Sequence, residues 1–316
     1  MSSAVTMKQK GSFGTRAAKD FHRNWPLYLM AFPVLIFYII FAYGPMAGII
    51  IAFKDYKVNL GIFGSPWTSE FGFHHFLTFF DSIYFQRVCV NTIMISLYNL
   101  VFGFPAPIIL ALLMNELRAQ KFKKVVQTIT YFPHFISAVV ICGMVCQFCL
   151  TDGLFNIILG WFGVKPQSLL QVPKYFRTIY TGTNIWQGVG WSSIIYLAAI
   201  TGVDSGLHEA AALDGAGRFR RIWHITLPSI QSTIVILLIM EVGNMMSVGY
   251  EKIILLYNES IYETADVIST YVYRKGLLEF NWSFSTAVNL FNSVLNFALV
   301  FGANAISRKV TETSLF

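Results

Sequence analysis

The stretch Glu209-Ala-Ala-Ala-Leu-Asp-Gly-Ala-Gly217, followed by Ile225-Thr-Leu-Pro228, interrupts an otherwise strongly apolar sequence. The helix formers at its start predict a short helix that Asp204 or Ser205 could cap. Two glycines end this helix, and a basic helix resumes at Arg218 before a proline opens the next apolar run. We therefore expect two short helices joined at a glycine bend, which would form a rigid projection for docking another protein.

The composition around this projection is that of a membrane protein. Hydrophobic residues make up 55% of the chain and charged residues only 12%, with a mean hydropathy of +0.57. Soluble domains carry roughly one quarter charged residues. Six apolar segments are long enough to cross a bilayer about 30 Å thick. They lie near residues 27–53, 90–114, 126–150, 183–202, 229–249 and 283–306. We predict an all-α polytopic membrane protein with six transmembrane helices.

The distribution of lysine and arginine predicts which side each loop occupies. With a cytoplasmic N-terminus, 14 of the 23 basic residues lie inside, and the three outer loops carry three each. Both termini are then cytoplasmic, and the excess charge of +7 follows from topology. The basic residues are divided among segments separated by spans, so we expect no nucleic-acid partner.

The predicted organisation has three parts, with no separate soluble domain. Residues 1–25 form a basic cytoplasmic tail, 26–306 form the transmembrane domain with a cytoplasmic loop at 203–228, and 307–316 form a second tail. The first apolar segment exceeds the ~7–15 residues of a signal-peptide core and lacks a small-residue cleavage site, so we expect it to be retained.

Polar residues inside the predicted spans are candidates for a substrate path. Glu241 is the one acid well inside a span and should face protein or water. Asn244 and Ser247 follow one and two turns later on the predicted helix. The three side chains would contact a polar substrate, or Glu241 would make a structural hydrogen bond between helices.

Polar residues in two other spans allow the same two interpretations, a substrate contact or a structural hydrogen bond. Asn289, Asn292 and Asn296 share a helical stripe that suits sugar hydroxyls but would equally join helices. His134 follows Pro133 at a predicted kink and would either meet the path or be a satisfied structural histidine.

The sequence carries no sign of catalysis by this chain. Cys142, Cys146 and Cys149 share one helical face, but no nearby histidine or carboxylate completes a metal site, so packing is the better interpretation. Motifs for nucleotide binding, zinc proteases and serine hydrolases are missing. We expect no catalytic residue, no metal and no cofactor on this chain, and an external source of energy.

The opening stretch resembles the coupling loop of permease subunits in binding-protein-dependent ABC importers. Other segments resemble the first of the two permeases in carbohydrate importers related to the maltose and multiple-sugar systems. The group serving complex oligosaccharides such as alginate, rhamnogalacturonan and aldouronate fragments is the most similar. The segments are Pro26–Pro33, Ile51–Tyr56, Phe71–Phe76, Asn91–Thr92 and Tyr250–Gly276. Gln231-Ser-Thr233 departs from this pattern, since many relatives have another proline there.

This resemblance implies a type I ABC importer permease fold in a bacterial cytoplasmic membrane. It implies a second homologous permease, two ATPase subunits that bind ATP and Mg, an extracytoplasmic substrate-binding lipoprotein and an oligosaccharide substrate. It also implies that one set of residues docks into an ATPase: Glu209, Ala210, Ala211, Asp214, Gly215, Arg218, Arg220, Arg221, Leu227 and Pro228. The alternative is a secondary transporter that uses Glu241 for ion coupling.

Overall fold

The computed structural model describes the backbone of residues 13–311 and the side chains of residues 20–309. This part of the chain is helical, and its extended pairing is a single antiparallel bridge between Lys54 and Trp67. The all-α prediction is confirmed. The ends of the two predicted tails, residues 1–12 and 312–316, lie outside the described residues.

Ten helices carry the architecture of the described chain. They are α1 (Asp20–Phe53), α2 (Phe85–Asn115), α3 (Gln120–Phe135), α4 (Ala138–Phe148), α5 (Pro173–Thr201), α6 (Ser205–Leu213), α7 (Arg218–Ser229), α8 (Gln231–Gly243), α9 (Tyr250–Leu256) and α10 (Trp282–Thr311). The helix that contains α1 begins at Phe13, inside the predicted tail. Shorter helices occupy the predicted outer loops at Gly61–Gly64, His74–Phe80, Leu154–Gly160, Tyr262–Ala265 and Ile268–Tyr273.

The six predicted spans differ in length, straightness and composition. Helices α1, α2 and α10 are long and apolar enough to span a membrane on their own. The third and fifth predicted spans are broken pairs: α3 and α4 meet at a bend of 100°, and α7 and α8 at 66°. Two of the predicted spans are therefore not straight helices. The fourth, α5, has 29 residues, which is sufficient length, but its composition is more polar than that of the other spans.

The bend between α3 and α4 has a local cause. Pro133 lacks an N–H and sits in a 3₁₀ turn, after which Ile136 is extended. The carbonyl of Ile136 is then satisfied by Gln187 of α5, whose Nε2 donates to it at 2.9 Å. Ser137 caps the new helix by accepting a hydrogen bond from the N–H of Val140. The predicted proline kink is confirmed, and it is a nearly right-angled break.

Helix α5 lies in the centre of the bundle and packs against α2, α3 and α4. Its buried positions include Thr181, Thr183 and Ser193, which face protein rather than lipid. Two of these hydroxyls donate to carbonyls of their own helix, Thr183 at 2.7 Å and Ser193 at 2.6 Å. A helix covered by its neighbours needs fewer apolar residues than one facing lipid, which explains its polar composition.

A buried ion-pair network holds the segment after α9 against the bundle. Asp266 is fully buried and pairs with Arg87 at 3.0 Å and with Arg274 at 2.8 Å. Asn91 of α2 donates to the carbonyls of Glu263 and Asp266, both at 2.9 Å. The network thus joins residues of α2 to residues almost two hundred positions later in the sequence.

Candidate functional site

The predicted coupling segment, residues 203–228, consists of α6, a glycine bend and most of α7. Asp204 caps α6 by accepting a hydrogen bond from the N–H of Gly206 at 2.9 Å. The predicted pair of short helices is present, and of the two proposed caps Asp204 is the N-cap residue.

The glycine bend has a specific geometry. The N–H of Ala216 donates to the carbonyl of Ala211 at 2.8 Å, and that of Gly215 to Ala212 at 3.1 Å. This pair of bonds is a Schellman motif, which requires a left-handed residue after the helix. Gly215 has a φ of +79°, and apart from its two neighbours in sequence no described residue comes within 4 Å of the position that a Cβ would take there. Within this chain the glycine is therefore required by backbone conformation and not by crowding.

Most of the predicted coupling residues lie on the surface. The exposed ones are Glu209, Ala210, Asp214, Gly215, Arg218, Arg220 and Pro228, and the half-buried ones are Ala211, Arg221 and Leu227. The structure therefore brings the predicted residues together on one projecting segment.

Some basic side chains of the coupling segment face the rest of this chain and not the solvent alone. Arg218 Nε lies 3.9 Å from Glu116 Oε2 at the end of α2, and both side chains are partly exposed. Together with His208, Arg118 and Arg221 they line a polar cavity of about 290 Å³. Glu116 and His208 were not predicted, because only the fold brings the end of α2 beside the coupling segment.

Three large apolar side chains project from the coupling segment. Leu213 is 90% exposed, Phe219 89% and Trp223 70%. The sequence analysis missed them, although the signal was present as apolar residues in an otherwise polar loop. Large exposed apolar side chains on a projecting segment are typical of a protein-docking surface.

A second feature, the central cavity, lies among α2, α5 and α8. It has a volume of about 710 Å³ and is lined by a set of polar and aromatic side chains together with small and aliphatic ones. The polar and aromatic members include Asn99, Asn184, Trp191, Ser192, Tyr196, Glu241 and Asn244. Amide, hydroxyl, carboxylate and indole groups in one cavity can hydrogen-bond to and stack on a polar organic molecule.

Glu241 and Asn244, two of the predicted path residues, both line the central cavity. Both are exposed, and the Asn244 amide donates to the carbonyl of Met240 at 3.1 Å. Asn99, Asn184 and Trp191 were missed, because α2 and α5 show no single polar stripe in sequence that distinguishes the cavity face.

Ser247 is placed differently from the prediction. Helix α8 ends at Gly243, so Ser247 is not two turns further along it, and it does not line the central cavity. The chain leaves the helix where Gly243 is packed so closely on Val300 of α10 that a Cβ would overlap that side chain. The expectation of one continuous face through Ser247 is therefore wrong.

The three asparagines of α10 have three different environments. Asn296 accepts a hydrogen bond from the N–H of Met246 at 2.9 Å and donates to Ser247 Oγ at 2.6 Å. It therefore joins α10 to the segment after α8, as the structural interpretation expected. Asn292 is buried and Asn289 is exposed, and none of the three lines the central cavity.

His134 does not line the central cavity but contacts a residue that does. Its ring stacks on the indole of Trp191, with centroids 4.6 Å apart and planes 2° from parallel. Trp191 lines the central cavity, so His134 supports one of its walls.

The cysteines of α4 and of its C-cap pack against α9 and the core. Cys142 and Cys149 are buried, and the Sγ atoms of Cys142 and Cys146 lie 4.0 and 3.7 Å from carbonyls of α9. Their common face is thus a packing surface.

The chain is similar to known transport proteins. The family described as "Binding-protein-dependent transport system inner membrane component" matches residues 103–311. Protein LplB of Bacillus subtilis is 43% identical over 92% of this chain and 91% of its own length. The polygalacturonan/rhamnogalacturonan transport system permease protein YteP of the same organism is 44% identical over 92% and 90%.

Solved structures include a similar chain from a bacterial ABC transporter involved in the import of the acidic polysaccharide alginate. It is 45% identical, with a TM-score of 0.85 over 94% of this chain and 99% of that one. A second structure of a bacterial alginate ABC transporter, in complex with an alginate pentasaccharide-bound periplasmic protein, also has a TM-score of 0.85. The match of the family over most of the helical bundle, coupling segment included, means that this chain belongs to the inner membrane components of binding-protein-dependent transport systems.

Proposed function

We propose that this chain is one of two permease subunits of an ATP-driven importer that moves an oligosaccharide delivered by an extracytoplasmic binding protein. The observation that carries the proposal is the coupling segment, a rigid projection with exposed apolar side chains at a Schellman bend. Because the chain belongs to an importer family, we expect the partner of this projection to be an ATPase subunit.

In this proposal the coupling segment and both termini lie in the cytoplasm. ATP and Mg bind on two partner ATPase subunits, and this chain hydrolyses nothing. When the ATPase subunits close on ATP they pull on the coupling segment and change the side from which the path is open. This is linkage, because ATP acts only by binding one state of the complex more tightly than the other.

The central cavity supports an oligosaccharide as the cargo. Its amides and hydroxyls suit sugar hydroxyl groups, and Trp191 offers a flat surface on which a sugar ring can stack. YteP is named as a permease for polygalacturonan and rhamnogalacturonan, and the solved neighbours import alginate. Under this proposal the cavity of this chain is half of the path, and a homologous permease supplies the other half.

The alternative function, a secondary transporter that couples ions through Glu241, has no comparable support. Its one argument was an isolated acid in the sequence, and Glu241 shares its cavity with neutral amides and an indole. The family is that of binding-protein-dependent systems instead.

The test is ATP hydrolysis by this chain assembled with its second permease and the ATPase in lipid. Loaded binding proteins are added from a panel of oligosaccharides, and the unloaded forms are the control. We expect one loaded binding protein to stimulate hydrolysis and to support uptake into vesicles. Solute uptake by this chain alone, on an ion gradient and without ATP, would contradict the proposal.

A further inference from the structure

Lys252 of α9 reaches across to the central helix α5. Its Nζ donates a hydrogen bond to Asn184 Oδ1 at 2.7 Å, and its side chain is half-buried. The backbone at this position is fixed, because the next residue, Ile253, is fully buried in the core and the Lys252 carbonyl lies 4.0 Å from Cys142 Sγ. The ammonium group is thus held in one place.

Three other cations of this outer region differ from Lys252 in having an acid partner. Arg87 and Arg274 pair with Asp266, and Lys275 pairs with Glu279 at 2.6 Å. Among the side chains that the structure describes, no carboxylate forms a salt bridge with Lys252. Burial lowers the pKa of Lys252. A half-buried cation that no salt bridge compensates is destabilising, even with the charge of Glu251 nearby, and an incoming anion would relieve that cost.

Asn184 connects this cation to the central cavity. It lines the cavity, as do Gly188, Ser192 and Ile195 at successive turns of α5. Asn184 is the cavity residue of α5 closest to Pro173, the end of the helix predicted to face outward. The stretch from Asn184 to Ile195 is about 17 Å long at 1.5 Å per residue. Lys252 therefore stands at the outer end of the cavity, where cargo from a binding protein would enter.

We propose that Lys252, positioned by Asn184, binds a carboxylate of an acidic oligosaccharide as it enters the path, and so selects anionic over neutral sugars. The proposal rests on the importer function above. An ammonium has three N–H donors, so Lys252 can keep its bond to Asn184 and still donate to a carboxylate. Such charge-assisted bonds contribute more than neutral ones.

The experiment compares uptake of oligogalacturonate and its methyl ester, which differ in charge but not in chain length. The complete transporter is reconstituted in vesicles with its binding protein. Removing the charge with Lys252→Gln should reduce uptake of the acid about tenfold relative to the ester. Lys252→Arg keeps the charge and should retain most of the preference. Asn184→Asp leaves the lysine in place but neutralises it with an ion pair, so it should lose the preference as well.

Lys174→Gln is the matched control, because it removes an exposed lysine from the same end of α5 without touching the cavity. It should leave the acid-to-ester ratio unchanged. Equal loss of both substrates in Lys252→Gln would mean a structural role and overturn the proposal, as would wild-type uptake of both substrates by this variant. Wild-type uptake of neutral sugars alone would also overturn it while leaving the importer function intact. Failure to import any oligosaccharide would instead overturn the proposed function.

Discussion

Gly215 shows most directly how one residue sets the geometry of the coupling segment. Its positive φ closes the Schellman motif that ends α6 and directs the chain into α7. Nearby Gly217 has a φ of −65° and a ψ of 167°, which any residue adopts, and it is the N-cap of α7. The backbone conformation at residue 215 therefore requires glycine, whereas the conformation at residue 217 does not.

We expect Gly215→Ser to impair coupling and Gly217→Ser to be tolerated. Serine in the left-handed region costs about 1–2 kcal/mol, whereas serine is a favoured N-cap residue. If the bend must keep its shape to transmit motion, the first variant should lower binding-protein-stimulated ATP hydrolysis about fivefold or more. The hydrolysis rates of the two reconstituted variants test this. Equal rates would show that the left-handed bend is dispensable.

At the scale of elements, the coupling helices present an apolar surface that the chain itself does not cover. Phe219 at 89% exposure and Leu213 at 90% lie on opposite sides of the glycine bend in sequence. A few anchor side chains commonly supply most of the energy of a docking surface, at about 2 kcal/mol or more each.

Phe219→Ala should therefore weaken association with the ATPase subunit about tenfold or more. The dissociation constant of the purified permease pair for the ATPase measures this directly. Phe63→Ala is the control, since Phe63 is 80% exposed in a predicted outer loop. If both variants bind the ATPase as the wild type does, the apolar side chains are not its anchor.

The contact between α5 and α3 depends on one close approach. Gly190 is buried, and a Cβ there would overlap the backbone carbonyl of Thr130 near the end of α3. Because backbone cannot move aside as a side chain can, the two helices would have to separate.

We expect Gly190→Ala to destabilise the protein by about 1–3 kcal/mol. Gly182→Ala in the same helix has open space around its Cβ and should be neutral or slightly stabilising, because alanine is the better helix former. Thermal unfolding of the purified complex in one detergent compares the two. A Gly190→Ala variant as stable as the wild type would show that α3 shifts without cost.

At the scale of the whole molecule, the sequence predicted the elements better than their arrangement. Composition, apolar segment lengths and the coupling motif indicated the helical membrane fold and the two helices of residues 203–228. Bend angles and the end of α8 were not predictable, because they depend on partners from distant helices, such as Gln187 for the carbonyl of Ile136 and Val300 for Gly243. For the same reason Glu241 and Asn244 were identified as cavity residues, whereas Asn99, Asn184 and Trp191 were missed.

The ion-pair network around Asp266 is a long-range feature that the sequence pattern does not indicate. It connects Arg87 of α2 with Arg274, through a carboxylate that is fully buried. Thr270 Oγ1 donates a further hydrogen bond to Asp266 Oδ1 at 2.9 Å. Nothing in the sequence marks these residues as neighbours, since the acid and Arg87 are 179 positions apart.

Asp266→Ala should destabilise the fold by about 3–5 kcal/mol, because it leaves two arginines facing a buried site without their counter-charge. Glu279→Ala removes a salt bridge as well, but its pair with Lys275 is exposed and within one helical turn, so its loss should cost no more than about 0.5 kcal/mol. The midpoints of thermal unfolding of the two variants, measured in the same lipid, should therefore differ clearly. Similar midpoints would mean that solvent reaches Arg87 and Arg274 once the acid is gone, and that the outer segment is held by its apolar contacts instead.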